Sequence, residues 1–158
     1  MKPTSKLLLG LAAILLCQGP APADDKPAKK ISGEPASLLG GYTIVSGEKF
    51  GLPEPAERIE GTTVRIADDA IIVMDKDMKE VYAQTYKVDT SSTPWKITLK
   101  SKITPYKQGS GETEAKGLIE KDGDTVKIIY ALPGGDTPTG FKTKEKQLMF
   151  VLKNEHKK

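Results

Sequence analysis

Cysteine and histidine are nearly absent from this chain of 158 residues, which contains one of each. Cys17 follows an N-terminal apolar run, and His156 lies near the C-terminal end, beyond the last expected strand. Zinc sites are built mainly from these two residue types, and a Ser-His-Asp triad needs a histidine inside the fold. We therefore expect no catalytic residues, no metal site and no cofactor, and we interpret the protein as a non-enzyme.

Arginine and clustered positive charge are also scarce. Arg58 and Arg65 are the only arginines, and the other basic residues are lysines distributed along the chain. The 24 basic and 21 acidic residues give a net charge of +3. A nucleic-acid-binding surface would carry a basic patch with interleaved aromatic residues. This pattern is missing, so we expect no nucleic-acid partner.

A hydrophobic run long enough to span a membrane is missing as well. The N-terminal run Leu7–Leu16 has ten residues, whereas a transmembrane helix needs roughly 20. Lys2 and Lys6 precede the run, and the small residues Ala21 and Ala23 follow it. This order is typical of a signal peptide cleaved after Ala23. We expect export to the periplasm or the extracellular space, with no stable membrane span after cleavage; a membrane anchor is the competing interpretation.

Cys17 allows a second form of membrane attachment. A cysteine just after an apolar run can be the lipidated first residue of a bacterial lipoprotein. The residue before such a cysteine is normally small, and here it is Leu16. An anchored lipoprotein is therefore the minor alternative, and cleavage after Ala23 would leave a mature chain without cysteine or disulfides.

The remaining sequence divides into three segments after the predicted signal peptide 1–23. Residues 24–36 are charged and rich in proline and alanine, which predicts a flexible linker. The folded domain is expected over 37–154, followed by a disordered tail at 155–158. We expect this single domain to be a monomer.

Short alternating segments separated by turn residues recur through the domain and predict eight strands. Pro55 opens the one segment that predicts a helical turn. Because no helices are interleaved with the strands, a parallel α/β sheet is excluded. The predicted strands cover Tyr42–Ser46, Thr63–Ala67, Ala70–Met74, Val81–Val88, Trp95–Lys100, the two arms of a hairpin over 117–130, and Gln147–Lys153.

The hairpin contains Asp122-Gly123, a dipeptide suited to a two-residue turn. A turn at these two residues would place Ile119 opposite Val126 and leave one face nearly all apolar, while the other face would be mixed and partly wet. Asp75-Lys-Asp77 and Asp122-Gly-Asp124 also have the spacing of calcium-loop fragments, but they lack the further ligands of a full loop. We interpret both as turns.

Eight short antiparallel strands joined mostly by hairpins suit an up-and-down barrel or a two-layer sandwich. We predict an all-β, eight-stranded antiparallel up-and-down barrel with at most one short helical turn. The interior of such a barrel is either filled by side chains or holds one small ligand. Four aromatic residues on predicted inward faces are candidates for a cavity wall, or equally for a packed core: Tyr42, Trp95, Tyr130 and Phe150.

Several segments, in order, resemble a family of small secreted bacterial domains that is abundant in planctomycetes, lipocalin-like and of unassigned activity. The segments that carry the resemblance include Leu38-Leu-Gly-Gly-Tyr42, Pro94-Trp-Lys-Ile-Thr-Leu99, Asp122-Gly-Asp-Thr-Val-Lys127 and Pro133-Gly-Gly135. The resemblance spans about residues 37–154. Tyr42 stands where the family favours tryptophan, and Thr137 stands where an arginine usually precedes the proline. The resemblance implies fold and export, and it transfers no catalytic residue.

These observations favour an exported, non-catalytic lipocalin-like domain that binds a small apolar ligand or a cell-envelope component. The alternative is a structural or protein-interaction barrel, an inhibitor-like or docking module with a filled core and no ligand. Such a module would bind an envelope protein through its loops. A connected cavity above roughly 300 Å³ lined by the four aromatic residues would favour the first function, and a solid interior with an exposed apolar patch at the loops would favour the second.

Overall fold

Antiparallel strands follow one another around a closed sheet in the computed structural model of this protein. The structure describes residues 34–101 and 113–155. In those segments the strands are β1 (Gly40–Lys49), β2 (Leu52–Pro53), β3 (Thr63–Ile66), β4 (Ala70–Met74), β5 (Glu80–Asp89), β6 (Trp95–Ser101), β7 (Thr113–Asp122), β8 (Thr125–Ala131) and β9 (Gln147–Asn154).

The predicted eight-stranded barrel is confirmed. From β3 to β9 each strand pairs with the next one in sequence, and β1 pairs with both β3 and β9, which closes the barrel. The two-residue strand β2 is an addition that pairs only with the end of β1. One turn of α-helix, α1 (Ala56–Ile59), begins after Pro55 as predicted.

Several sequence-based predictions fall outside the described residues. They are the signal peptide 1–23 with Cys17, the linker up to residue 33, and the C-terminal tail from His156 onward. The last described residue, Glu155, is attached to the barrel, because its backbone N–H donates to the carbonyl oxygen of Gly41.

The strand β6 shows why these sequences form a half-buried sheet. Trp95, Ile97 and Leu99 point inward and are buried, whereas Lys96 between them is exposed. Side chains alternate between the two faces of a strand, so a period-two pattern buries one side of the sheet. The inward faces of the other strands add the rest of the core.

The register predicted for the β7–β8 hairpin is wrong by two residues. Asp122 pairs with Thr125, so the turn is made by Gly123 and Asp124 rather than by Asp122 and Gly123. Gly123 has a φ of 57°, a left-handed conformation that glycine adopts without steric cost. Ile119 consequently faces Ile128 and not Val126.

The outer face of the same hairpin is more apolar and more buried than predicted. The corrected register places Leu118 opposite Ile129, two large apolar side chains on the face that was expected to be mixed. Both side chains are buried. A shift by two residues exchanges the partners but leaves each residue on its predicted face, because the side-chain period of a strand is two.

A short 3-10 turn, Pro35–Leu38, lies beside one end of the barrel. Leu38 is completely buried, and its carbonyl oxygen accepts a hydrogen bond from the Tyr42 hydroxyl at 2.7 Å. The Lys121 ammonium group, from the end of β7, donates to the carbonyl oxygen of Ser37. These contacts tie the turn to two strands, and we refer to this end of the barrel as the closed end.

At the opposite end, the connection between β8 and β9 is tied to β1. The Glu48 carboxylate accepts hydrogen bonds from the backbone N–H of Thr143, at 2.9 Å, and from its hydroxyl. The Thr143 hydroxyl oxygen in turn accepts from the backbone N–H of Gly51 at 2.8 Å. These hydrogen bonds lower the pKa of Glu48, the hydroxyl contributing most and the backbone N–H next.

Candidate functional site

The barrel interior contains a cavity of about 200 Å³, which we call the barrel cavity. Its wall combines inward-facing residues from seven of the strands. Most of them are aliphatic or aromatic, and no charged side chain is among them. The lining residues are Ile44, Val64, Ile66, Ile71, Val73, Tyr82, Gln84, Ile119, Ile128, Tyr130, Phe150 and Leu152.

Two of the four aromatic residues predicted from the sequence line this cavity. Tyr130 lies on β8 and Phe150 on β9, and each packs against the buried core. Phe150 faces Ile128 across the β8–β9 pair. Tyr130 faces Gly117, so no side chain competes with the phenol ring from the neighbouring strand at that point.

The other two aromatic residues lie at the closed end. Tyr42 has no exposed surface and Trp95 is 3% exposed, and neither lines the barrel cavity. Burial raises the pKa of Tyr42, although the Asn154 side chain opposes this rise. The Tyr42 hydroxyl has the hydrogen-bond partner that a buried tyrosine needs, the carbonyl of Leu38.

The interior is therefore both core and cavity, divided along the barrel axis. At the closed end, large aromatic side chains and Leu38 fill the space, while aliphatic side chains surround the cavity above them. The cavity of about 200 Å³ is smaller than the expected roughly 300 Å³, and two rather than four of the predicted aromatic residues line it, so the structure matches neither alternative in full.

Polar residues that the sequence interpretation missed lie on the cavity wall. Tyr82 and Gln84 both lie on the inward face of β5, two residues apart. Ser101 of β6 pairs with Gln84 across the β5–β6 ladder. The Tyr82 hydroxyl donates to Gln84 Oε1 at 3.0 Å and lies 2.7 Å from Ser101 Oγ. The sequence contained a pattern that could have indicated this polar group, because the alternation in Val81–Val88 places a glutamine on the same face of the strand as two tyrosines.

Tyr130 contributes a third polar group to the wall. Burial raises the pKa of its phenol, and the nearby Tyr82 raises it further. The hydroxyl therefore stays protonated at neutral pH. It makes no hydrogen bond with any residue in the part of the chain that the structure describes.

The other sequence motifs serve local structure. The Asp75 carboxylate accepts hydrogen bonds from the backbone N–H groups of Asp77 and Lys79, at 2.9 and 3.0 Å, which confirms its role in a turn. Arg58 in α1 forms an ion pair with Glu54, which precedes the helix; Arg58 Nη1 lies 3.8 Å from Glu54 Oε2. Within residues 34–101 and 113–155, no group of three or more His, Cys, Asp or Glu side chains could hold a metal ion.

The class of protein defined by this geometry is a closed antiparallel β-barrel with a small, mainly apolar interior cavity. Comparisons with protein-family models, with curated proteins and with solved structures give no match for this chain. The lipocalin-like resemblance thus stays a prediction. None of the helical turns in the described segments has the length and hydropathy of a membrane-spanning helix.

Proposed function

We propose that this protein is an exported, non-catalytic lipocalin-like barrel that binds a small apolar molecule in its barrel cavity. The cavity itself is the observation that carries the proposal. It is lined by the inward faces of the strands, and aliphatic and aromatic side chains make up most of its wall. Export rests on the order of basic, apolar and small residues at the N-terminus.

The size of the cavity limits the ligand. An apolar cavity of roughly 150 Å³ holds benzene in another protein, so about 200 Å³ fits a single ring with one or two small substituents. A drug-sized molecule needs roughly 300 Å³ or more. Burying roughly 150 Å² of ligand surface at about 25 cal/mol per Å² gives a Kd on the order of 1 mM.

A thermal melt with toluene as the probe tests the proposal. At a toluene concentration of about five times Kd, binding stabilises the fold by about 1 kcal/mol, which raises Tm by roughly 4 °C. Val73→Phe fills the cavity and removes the shift. Ile72→Phe adds the same ring to the neighbouring residue, which does not line the cavity, and keeps the shift.

Native mass spectrometry of the purified mature protein supplies the second measurement. A co-purifying small molecule would support the proposal and identify its ligand. A clean apo mass together with melts that do not respond to single-ring compounds would contradict it.

The alternative function, a docking barrel, is supported by a different observation. Large apolar side chains are exposed at and beside the turns opposite the closed end: Phe50 between β1 and β2, Leu52 at the start of β2, Met78 between β4 and β5, and Val81 near the start of β5. Exposed apolar residues grouped at loops are typical of protein contact surfaces. The negative result of both ligand experiments would favour this function.

A further inference from the structure

The polar groups of the barrel cavity define what kind of ligand it accepts. Only Tyr82, Gln84 and Tyr130 among its lining residues carry polar side-chain atoms, and none of them is charged. Since the rest of the wall is hydrocarbon, these groups fix the orientation and the chemistry of whatever the cavity binds.

Hydrogen bonding orients the Gln84 amide. The Tyr82 hydroxyl has one proton, which it donates to Gln84 Oε1 at 3.0 Å. Ser101 must then donate to the Tyr82 oxygen, 2.7 Å away. The resulting chain runs from Ser101 through Tyr82 to the carbonyl oxygen of Gln84, so the Gln84 oxygen already has a donor.

The amide nitrogen of Gln84 is a donor that the described residues do not use. Gln84 is 5% exposed, and its Nε2 group makes no hydrogen bond with any residue in the described segments. Gln84 lines the barrel cavity, so this N–H group can donate to an acceptor on a bound ligand.

The Tyr130 hydroxyl offers a second donor to the same cavity. It too has no hydrogen-bond partner among the described residues, and its raised pKa keeps its proton in place. The cavity wall therefore presents N–H and O–H donors, whereas the carbonyl oxygen of Gln84 already accepts one hydrogen bond from Tyr82.

We propose that the barrel cavity selects a small neutral molecule whose apolar body carries a carbonyl oxygen, which accepts hydrogen bonds from the Gln84 amide and the Tyr130 hydroxyl. This inference rests on the proposed function, because it names the class of ligand for that cavity. Carboxylates are rejected, since no cationic side chain lines the wall and a buried unpaired anion is strongly unfavourable. Hydrocarbons bind more weakly because they leave both donors unsatisfied.

Titration calorimetry with a matched pair of ligands tests this selectivity. Acetophenone and α-methylstyrene have nearly the same shape, but the first carries a carbonyl oxygen where the second carries a CH₂ group. We expect the unaltered protein to bind acetophenone roughly tenfold more tightly. Benzoate at pH 7 should give no measurable binding.

Two variants locate the effect. Gln84→Met keeps the length of the side chain but removes the N–H donors, so the tenfold preference should fall to about twofold while α-methylstyrene affinity is retained. Tyr130→Phe should lower the preference by a smaller factor, and it provides the test if Gln84→Met does not fold.

The possible results separate this inference from the proposed function. Equal affinity for the two matched ligands would overturn the carbonyl selectivity and leave the proposed function intact. Tightest binding of benzoate would overturn the exclusion of anions. No binding of either neutral ligand, together with no response to toluene, would overturn both proposals.

Discussion

Among the glycines in the described segments, Gly117 has the least space for a side chain, and Gly117→Ala should destabilise the barrel strongly. A Cβ atom there would lie 1.9 Å from the carbonyl oxygen of Ile129 and 2.8 Å from the Cα of Tyr130. Non-bonded heavy atoms prefer about 3.5 Å or more, so the two strands would have to separate by roughly 1.5 Å.

The atoms that the added Cβ would contact belong to the backbone, and this determines how much stability the substitution costs. Overpacking against movable side chains costs about 1–3 kcal/mol, and here β7 and β8 are both held by ladders to their outer neighbours, β6 and β9. We take about 3 kcal/mol for the clash. Replacing glycine by alanine returns roughly 0.4–1 kcal/mol through the unfolded chain, which leaves a net loss of about 2 kcal/mol or more.

Urea unfolding followed by the fluorescence of Trp95 measures this loss. Trp95 is the only tryptophan and is buried at the closed end, so its emission reports on the folded barrel. With an m-value of roughly 2 kcal/mol/M, Gly117→Ala should lower the midpoint by about 1 M or more with an unchanged slope.

Two control variants separate steric from conformational effects. Gly140→Ala meets nothing within 4 Å and has no positive φ, so it should be neutral or slightly stabilising. Gly123→Ala also has open space, but its φ of +57° should cost about 1 kcal/mol. If the midpoint of Gly117→Ala matched that of Gly140→Ala, the close approach of β7 and β8 would be refuted.

Two further predictions concern charge in and around the barrel. Ile128→Asp buries a carboxylate without a partner and should unfold the protein. Lys127→Gln on the exposed face should change the free energy of unfolding by less than about 0.5 kcal/mol. If circular dichroism melts showed a larger loss of stability for Lys127→Gln than for Ile128→Asp, the assignment of the inward face would be wrong. Glu48 has a lowered pKa, so its bonds to Thr143 stabilise the fold above the unfolded pKa, near 4.3, and are lost as pH falls through the folded pKa. Glu48→Gln should therefore cost about 1 kcal/mol at pH 7 and almost nothing at pH 2 in urea titrations; an equal cost at both pH values would exclude this source of stability.

The local periodicity of the sequence was enough to predict the eight strands of the barrel and their inward faces, but not the two-residue strand β2. In β6, the inward set Trp95, Ile97 and Leu99 follows directly from the alternation with polar residues. The hairpin shows the limit of this information. Asp122-Gly123 is a favourable turn by itself, but the longer β7 strand gains the Asp122–Thr125 pair and the contact of Lys121 with Ser37.

Only half of the candidate site could be predicted, because the sequence of a single strand does not determine its register with its neighbours. Tyr130 and Phe150 follow from strand periodicity, whereas their separation from Tyr42 and Trp95 depends on how far along the barrel axis each strand begins. The hydrogen bond of Tyr82 to Ser101 joins residues 19 positions apart. Contacts of this kind depend on the register between strands, which the alternation of one strand does not determine.

The Ser101–Tyr82–Gln84 chain is the feature of the interior that stability explains least. An aliphatic side chain at residue 84 would extend the apolar wall and would leave no amide N–H without an acceptor. The closed end shows the opposite solution, because its buried Tyr42 hydroxyl has a backbone partner. Among the described residues, the Tyr42 hydroxyl thus has a protein acceptor, whereas the Gln84 amide N–H lies on the cavity wall without one. This contrast favours an acceptor on a ligand as the partner of Gln84.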